Sequence, residues 1–174
     1  MSHKQCRIMI TKKCNLRCSY CLMKNEELMA TFKPATMEEI LKKEYSAYCI
    51  TGGEPFYNKK TTDLIVDLIL AIRNKSAIPA IYLYSNGERK LNKIMAMVLS
   101  SIEGVNISPH GRNIPYKKIK IINMYCPVRL HRQDTKITPR MINFCEKENI
   151  EYKIWHKDDC TTVPEDRFIL TDSY

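Results

Sequence analysis

Cys14, Cys18 and Cys21 lie in the run Thr11-Lys12-Lys13-Cys14-Asn15-Leu16-Arg17-Cys18-Ser19-Tyr20-Cys21, a C-x3-C-x2-C spacing. Clustered thiols at this spacing point to metal chemistry, because soft thiolate ligands select zinc and iron–sulfur clusters. Structural zinc usually takes four protein ligands, and most iron–sulfur clusters take four thiolates. Three thiolates are therefore one short of a closed site. A cluster iron left without a protein ligand can bind a molecule that reacts, whereas a zinc ion would need a fourth residue from elsewhere in the chain. Chance clustering of buried cysteines is the remaining alternative.

Further polar residues follow short apolar runs. Gly52-Gly53-Glu54-Pro55 comes after Tyr48–Thr51, Ser85-Asn86-Gly87 after Ala80–Tyr84, and Ser108 after Val105–Ile107. Glycine pairs allow close backbone approach and present polar groups to a ligand, while Asn-Gly is also an ordinary turn signal. Later, Arg129 and His131 alternate with Val128 and Leu130, and Lys153 and Trp155 alternate with Tyr152 and Ile154. Strand alternation places each such set on one face, and a polar interior of Arg129, His131 and Lys153 would suit an anionic group.

Cys14-Asn15-Leu16-Arg17-Cys18-Ser19-Tyr20-Cys21 resembles the C-x3-C-x-aromatic-C signature of the radical S-adenosylmethionine (radical SAM) superfamily, and Gly52-Gly53-Glu54-Pro55 resembles its GGEP motif. The resemblance implies a [4Fe–4S] cluster on Cys14, Cys18 and Cys21, with the amino and carboxylate groups of SAM on the open iron. It implies that Gly52, Gly53, Glu54 and Pro55 receive the methionine end of SAM and that Tyr20 packs near its adenine. Ser85, Asn86, Ser108 and Arg129 join them as expected cofactor contacts. Reductive cleavage of SAM to a 5′-deoxyadenosyl radical, which takes hydrogen from an anionic or nucleotide-like second substrate, is the activity so implied. An electron donor such as flavodoxin or ferredoxin, and a nucleotide or nucleic acid, are the implied partners. A glycyl-radical activase for anaerobic ribonucleotide reductase is the alternative within the family, although such activases typically have Gly where this chain has Tyr20. A zinc or iron–sulfur module with a structural or nucleic-acid-binding role is the non-enzyme alternative.

The composition agrees with an anionic partner without choosing one: 28 Lys and Arg against 19 Asp and Glu give a net charge of +9. The other cysteines (Cys6, Cys49, Cys126, Cys145 and Cys160) are scattered singly, most among apolar neighbours, and read as buried thiols. The most apolar run, Leu64–Ile72, is interrupted by Asp67 and is too short to span a bilayer. The first residues lack the apolar region of a secretory signal. A cytoplasmic protein with no membrane association is expected, its thiols kept reduced.

The elements that must position these residues alternate along the chain. Strands are expected at 5–11, 48–51, 80–85, 105–108, 127–131 and 150–155. Between them, Thr36-x-x-Glu39 is a capping box opening a helix to about Ser46. Thr61 or Thr62 caps a helix with Leu64, Ile65, Leu68, Ile69 and Ile72 on one face, and Leu91, Ile94, Met95, Val98 and Leu99 mark another. A short helix is expected around Tyr116–Ile121, and Thr138-Pro139 opens one carrying Met141, Ile142 and Cys145. Strands alternating with helices predict parallel βαβ units, and 174 residues over six strands leave about 29 per unit. The expected fold is α/β, a partial (β/α)6 barrel of parallel strands of the radical SAM core type, with a doubly wound flat sheet as the alternative. One domain over 1–174 is expected, its residues from about 157 to 174 forming a short C-terminal tail. In either fold ligands collect at the C-terminal strand ends, so all the loops above would share one rim.

Overall fold

A computed structural model of the chain describes residues 4–18, 21–109, 114–132, 137–154 and 165–171. Eight parallel strands form one open sheet: β1 (Gln5–Met9), β2 (Lys33–Ala35), β3 (Ala47–Thr51), β4 (Ala80–Ser85), β5 (Gly104–Ile107), β6 (Val128–Arg132), β7 (Glu151–Ile154) and β8 (Glu165–Leu170). Their order is β2-β8-β1-β3-β4-β5-β6-β7, and every pairing is parallel. The six expected strands stand side by side in chain order from β1 to β7, which is the progression of an open barrel. A doubly wound sheet would reverse direction at a switch point.

Two strands lack a clear signal in the sequence. β2 is a three-residue segment containing Pro34 at the sheet edge, where a missing N–H costs no ladder bond. β8 falls within residues expected to form only a tail, yet it pairs with β1 along its length, Gln5 opposite Glu165 through Met9 opposite Ile169. Its alternation of Glu165, Arg167 and Ile169 with Asp166, Phe168 and Leu170 mixes charge on both faces, so hydrophobic periodicity does not mark it.

One face of the sheet carries the main core. Cys6, Ile8, Tyr48, Ile50, Ile81, Leu83, Val105, Ile107, Val128 and Leu130 are buried beneath helices α2 (Met37–Leu41), α3 (Lys59–Lys75), α4 (Lys93–Ser100), α5 (Tyr116–Asn123) and α6 (Pro139–Lys147). α3 contributes Ile65, Leu68, Ile69 and Ile72, while α4 contributes Met95, Val98 and Leu99. Ile94 of the expected α4 stripe is instead exposed, and Leu91 precedes the helix. The other face carries a smaller cluster of Met9, Leu28 and Phe32, the last two from the segment of α1 (Glu26–Ala30) and the turn after it.

The helix starts show how local chemistry sets the elements. Thr36 accepts the Glu39 N–H while the Glu39 carboxylate accepts the Thr36 N–H, completing the expected capping box. Thr138 caps α6 with Pro139 in its first turn. The cap of α3 is Asn58 rather than either threonine; Thr61 closes the box from its third position, and both threonine hydroxyls donate to the Asn58 carbonyl. α2 stops at Leu41 rather than near Ser46, because Tyr45 is drawn into the core. Its hydroxyl donates to Asp166 at 2.9 Å, and its ring meets Tyr48 edge-on with centroids 5.5 Å apart. Cys6, Cys49, Cys126 and Cys145 are buried free thiols as expected, and Cys160 lies outside the described residues.

Candidate active site

β1 ends at Met9, and the chain runs through Ile10 and Thr11 into the cysteine loop. The loop is held by the turn that follows the neighbouring strand β3. Ile10 N–H donates to the Thr51 carbonyl at 2.8 Å, Gly53 N–H to the Thr11 carbonyl at 2.7 Å, and Glu54 N–H to the Lys13 carbonyl at 2.9 Å. A Cβ on Gly52 would fall 2.8 Å from the Thr11 oxygen, and one on Gly53 would lie deep inside contact distance of the Lys13 carbonyl. The two glycines therefore let the turn lie flush against the backbone that leads to Cys14. Close approach was expected here for a ligand; the approach in the fold is to the chain's own cysteine loop.

Glu54 is fully buried. Its carboxylate accepts the Ser85 hydroxyl at 2.8 Å, the Asn86 N–H at 2.9 Å and the Phe56 N–H at 3.2 Å. Burial pushes the Glu54 carboxyl up, while these donors and the Arg89 charge pull it back. The side chain thus ties the turn after β3 to the turn after β4. Pro55 is buried beside it.

Asn86 carries the connection to the cysteines. Its Nδ2 donates to Asn15 Oδ1 at 2.9 Å and lies 3.9 Å from Cys14 Sγ, while its Oδ1 accepts the Glu88 N–H at 2.8 Å. Gly87 follows at φ 73°, where a Cβ would meet Ile107 of the next strand at 2.8 Å. Ser108 N–H donates to the Ser85 carbonyl at 2.9 Å, bringing the end of β5 onto the same rim. Asn15, between the first two cysteines, escaped the motif reading because its importance comes from a residue two strands away.

Cys14, Cys18 and Cys21 are half-buried thiols. Burial raises the Cys14 thiol, opposed by the Leu16 N–H that donates to its sulfur at 3.4 Å. Among the described residues no three His, Cys, Asp or Glu side chains converge on a single ion. In a [4Fe–4S] cluster each thiolate binds a different iron, so the three sulfurs need not meet at one ion. The donor set, three thiols on one braced loop, fits a cluster. Tyr20 lies outside the described residues.

Arg129 stands apart from this rim assembly. It is exposed on β6 and its Nη2 lies 2.7 Å from Glu151 of the edge strand β7. Other residues of the same sheet face went unread in the sequence. Arg7 donates to Glu165 at 2.7 Å and stacks over the Tyr84 ring at 4.6 Å, and Arg167 donates to the same Glu165 oxygen at 2.8 Å. A charged residue between Cys6 and Ile8 in a strand was the available signal for Arg7; Glu165 offered none. Among the described residues no helix is long and apolar enough to cross a membrane.

The chain is similar to known proteins in both sequence and fold. A GTP 3′,8-cyclase of Clostridium perfringens (strain SM101 / Type A) is 37% identical over 110 residues, covering 59% of this chain and 33% of that protein. Molybdenum cofactor biosynthesis protein 1 of Mus musculus is 29% identical over 114 residues, covering 61% of this chain and 17% of that protein. The chain thus spans about a third or less of the length of these relatives. The crystal structure of Streptococcus suis SuiB bound to S-adenosylmethionine shares the fold, with a TM-score of 0.58 and 15% identity over 86% of this chain and 38% of that one. The family model described as the Radical SAM superfamily matches residues 8–123, a span that holds the three cysteines, the glycine turn and the Ser85-Asn86 turn, and the chain belongs to that superfamily of enzymes.

Proposed function

We propose that the chain is a radical SAM enzyme holding a [4Fe–4S] cluster on Cys14, Cys18 and Cys21 and binding SAM along the rim formed by Gly52–Pro55, Ser85, Asn86 and Ser108. The observation that supports this reading best is the bracing of the cysteine loop by Gly53, Glu54 and Asn86. When bound, the cluster supplies the electron that cleaves a carbon–sulfur bond of SAM, leaving methionine and a 5′-deoxyadenosyl radical that takes hydrogen from a second substrate.

The protein's own part is positional. The Gly53 and Glu54 amides fix the backbone that leads into Cys14. Glu54 spends its carboxylate on Ser85, Asn86 and Phe56, so it positions the turns rather than offering a free charge. Asn86, donating to Asn15 and lying beside Cys14, orients the first thiol and polarises its surroundings. Tyr20 is proposed at the adenine and Arg129 at an anionic group. A flavodoxin or ferredoxin is proposed as electron donor, the cytoplasm as the location, and a nucleotide-like molecule as second substrate. The last is supported by the relatives' name, GTP 3′,8-cyclase, and by the +9 charge.

Anaerobic reconstitution with iron and sulfide, followed by SAM and a reductant, tests the reading. 5′-Deoxyadenosine is expected above the cluster-free control, and its absence from a protein shown to hold the cluster overturns the proposal.

A further inference from the structure

The two edges of the sheet are built differently. β2, at one edge, is three residues long and carries Pro34, which has no N–H to offer a further strand. β7, at the other edge, is Glu151-Tyr152-Lys153-Ile154, with neither Pro nor Gly, and all four residues are exposed. It pairs with β6 on one side, and among the described residues no strand lies on its other side. Alternate N–H and C=O groups therefore point away from the sheet, a template for another strand.

The side chains of β7 select which strand that can be. Its register with β6 sets Glu151 beside Arg129 and Lys153 beside His131 on the face turned away from the helices, while Tyr152 and Ile154 stand on the helix side beside Leu130 and Arg132. Tyr152 and Ile154 are exposed large apolar side chains. A groove of about 290 Å³ adjoins Tyr152 between the end of α6 and β7, lined by Cys145, Glu146, Asn149 and Ile150 as well. A lysine on an edge strand ordinarily deters further pairing, and Lys153 has no carboxylate partner among the described residues. Glu151 pairs with Arg129 at 2.7 Å yet keeps most of its side chain exposed.

From Ile150 to Ile154 the chain reads Ile-Glu-Tyr-Lys-Ile, the same order of apolar and charged positions from either end, with the sign of charge exchanged. Turned antiparallel about Tyr152, a second copy sets Glu151 opposite Lys153, Lys153 opposite Glu151 and Tyr152 opposite Tyr152. Opposite charges and aromatic rings then face each other, the pairings that stabilise a ladder. A parallel copy in register would set Glu151 against Glu151 and Lys153 against Lys153, which is destabilising. An antiparallel copy slipped by one residue would set each charge against an apolar residue. The lysine that deters other strands is thus answered by this one.

We propose that β7 is a homodimerisation edge: two copies of the chain join β7 to β7, antiparallel and centred on Tyr152, so that the sheet continues across a two-fold axis. Such an interface is isologous and closes at two copies. It involves no cofactor, so its outcome is independent of the radical SAM reading.

Sedimentation velocity on the full chain, over a concentration series into the high micromolar range, tests this. The parent protein is expected to pass from monomer to dimer as concentration rises. Lys153→Glu leaves two glutamates on the strand and Glu151→Lys two lysines, so each variant opposes like charges to its own copy. Each is expected to dimerise about tenfold more weakly than the parent. An equimolar mixture of the two sets the glutamates of one against the lysines of the other, and heterodimers are expected at about the parent's affinity. Lys117→Glu, the same charge change at an exposed residue of α5, is expected to leave association unchanged. The proposal is overturned by a parent that stays monomeric throughout, by Lys153→Glu dimerising as the parent does or no more weakly than Lys117→Glu, or by a mixture of variants, folded by circular dichroism, that yields no heterodimer.

Discussion

Asn86 donates its side-chain N–H to Asn15 across 71 residues of sequence, at 2.9 Å, and so fastens the turn after β4 to the loop that carries Cys14. Gly53 and Glu54 fasten the same loop from the turn after β3. The cysteine loop is therefore braced by two turns that are themselves joined through the buried Glu54 carboxylate. This arrangement makes the geometry of the thiols sensitive to residues that touch no sulfur.

Gly53→Ala tests the brace directly. The added methyl would collide with backbone at Lys13, which cannot swing aside as a flexible side chain would. Overpacking of this kind costs about 1–3 kcal/mol, and here relief requires the cysteine loop to move. The expected outcome is a folded protein that incorporates several-fold less iron, measured as iron per chain and as cluster absorbance after reconstitution. Iron loading equal to the parent protein would mean the loop does not depend on that contact.

Glu54→Gln separates charge from hydrogen bonding. Both carboxylate oxygens accept, and a glutamine would turn an NH2 group toward a protein donor at one of them. The buried mismatch is expected to destabilise by about 1–3 kcal/mol. Ser85→Ala, which removes one donor to the same carboxylate, should cost about 1 kcal/mol. Urea unfolding of the two variants gives the comparison, and the order reversed would argue against Glu54 as the joint between the turns.

Thiol alkylation should sort the cysteines by environment. Cys126 is pushed up to about 12 by burial, and burial likewise raises Cys6, Cys49 and Cys145. Burial also raises Cys14, yet Cys14, Cys18 and Cys21 are each half-exposed. Because the thiolate is the nucleophile and must be reached by the reagent, iodoacetamide should label these three in the cluster-free protein at least tenfold faster than the four buried thiols. Peptide mapping by mass spectrometry reads the result, and reconstitution with iron and sulfide should protect the same three.

The β8 strand gives a pH dependence. Burial works against the Asp166 carboxylate, but hydrogen bonds from Lys4, Tyr45 and Lys43 outweigh it and hold the carboxyl down at about 2. A carboxyl lowered on folding stabilises the fold fully above its unfolded value, about 3.9. That contribution is lost as pH falls from there through about 2. Tyr45→Phe removes one donor and should move the acid-unfolding midpoint to higher pH by a few tenths of a unit, followed by circular dichroism. A midpoint unchanged or lowered would show that the Tyr45 bond carries no such weight.

Much of the molecule is written locally. The C-x3-C-x2-C spacing, the Gly52–Pro55 turn, the Thr36 and Thr138 caps and the six strands from β1 to β7 are all legible, because each depends on residues within a few positions of one another. The alternation of apolar and polar residues in β4, β5 and β6 even specifies which side chains share a face. What the tertiary structure decided are contacts between elements far apart in sequence. The glycines serve the cysteine loop, Glu54 joins two turns, Asn86 reaches Asn15, and Arg7 meets Glu165 across 158 residues. A parallel sheet brings such residues together only after its crossovers have formed, and the register between neighbouring strands leaves no periodic trace in either strand. β8 shows the same limit at the level of a whole element. Its place beside β1 follows from pairing and from the ion pairs of Glu165 and Asp166, not from any pattern within its own six residues.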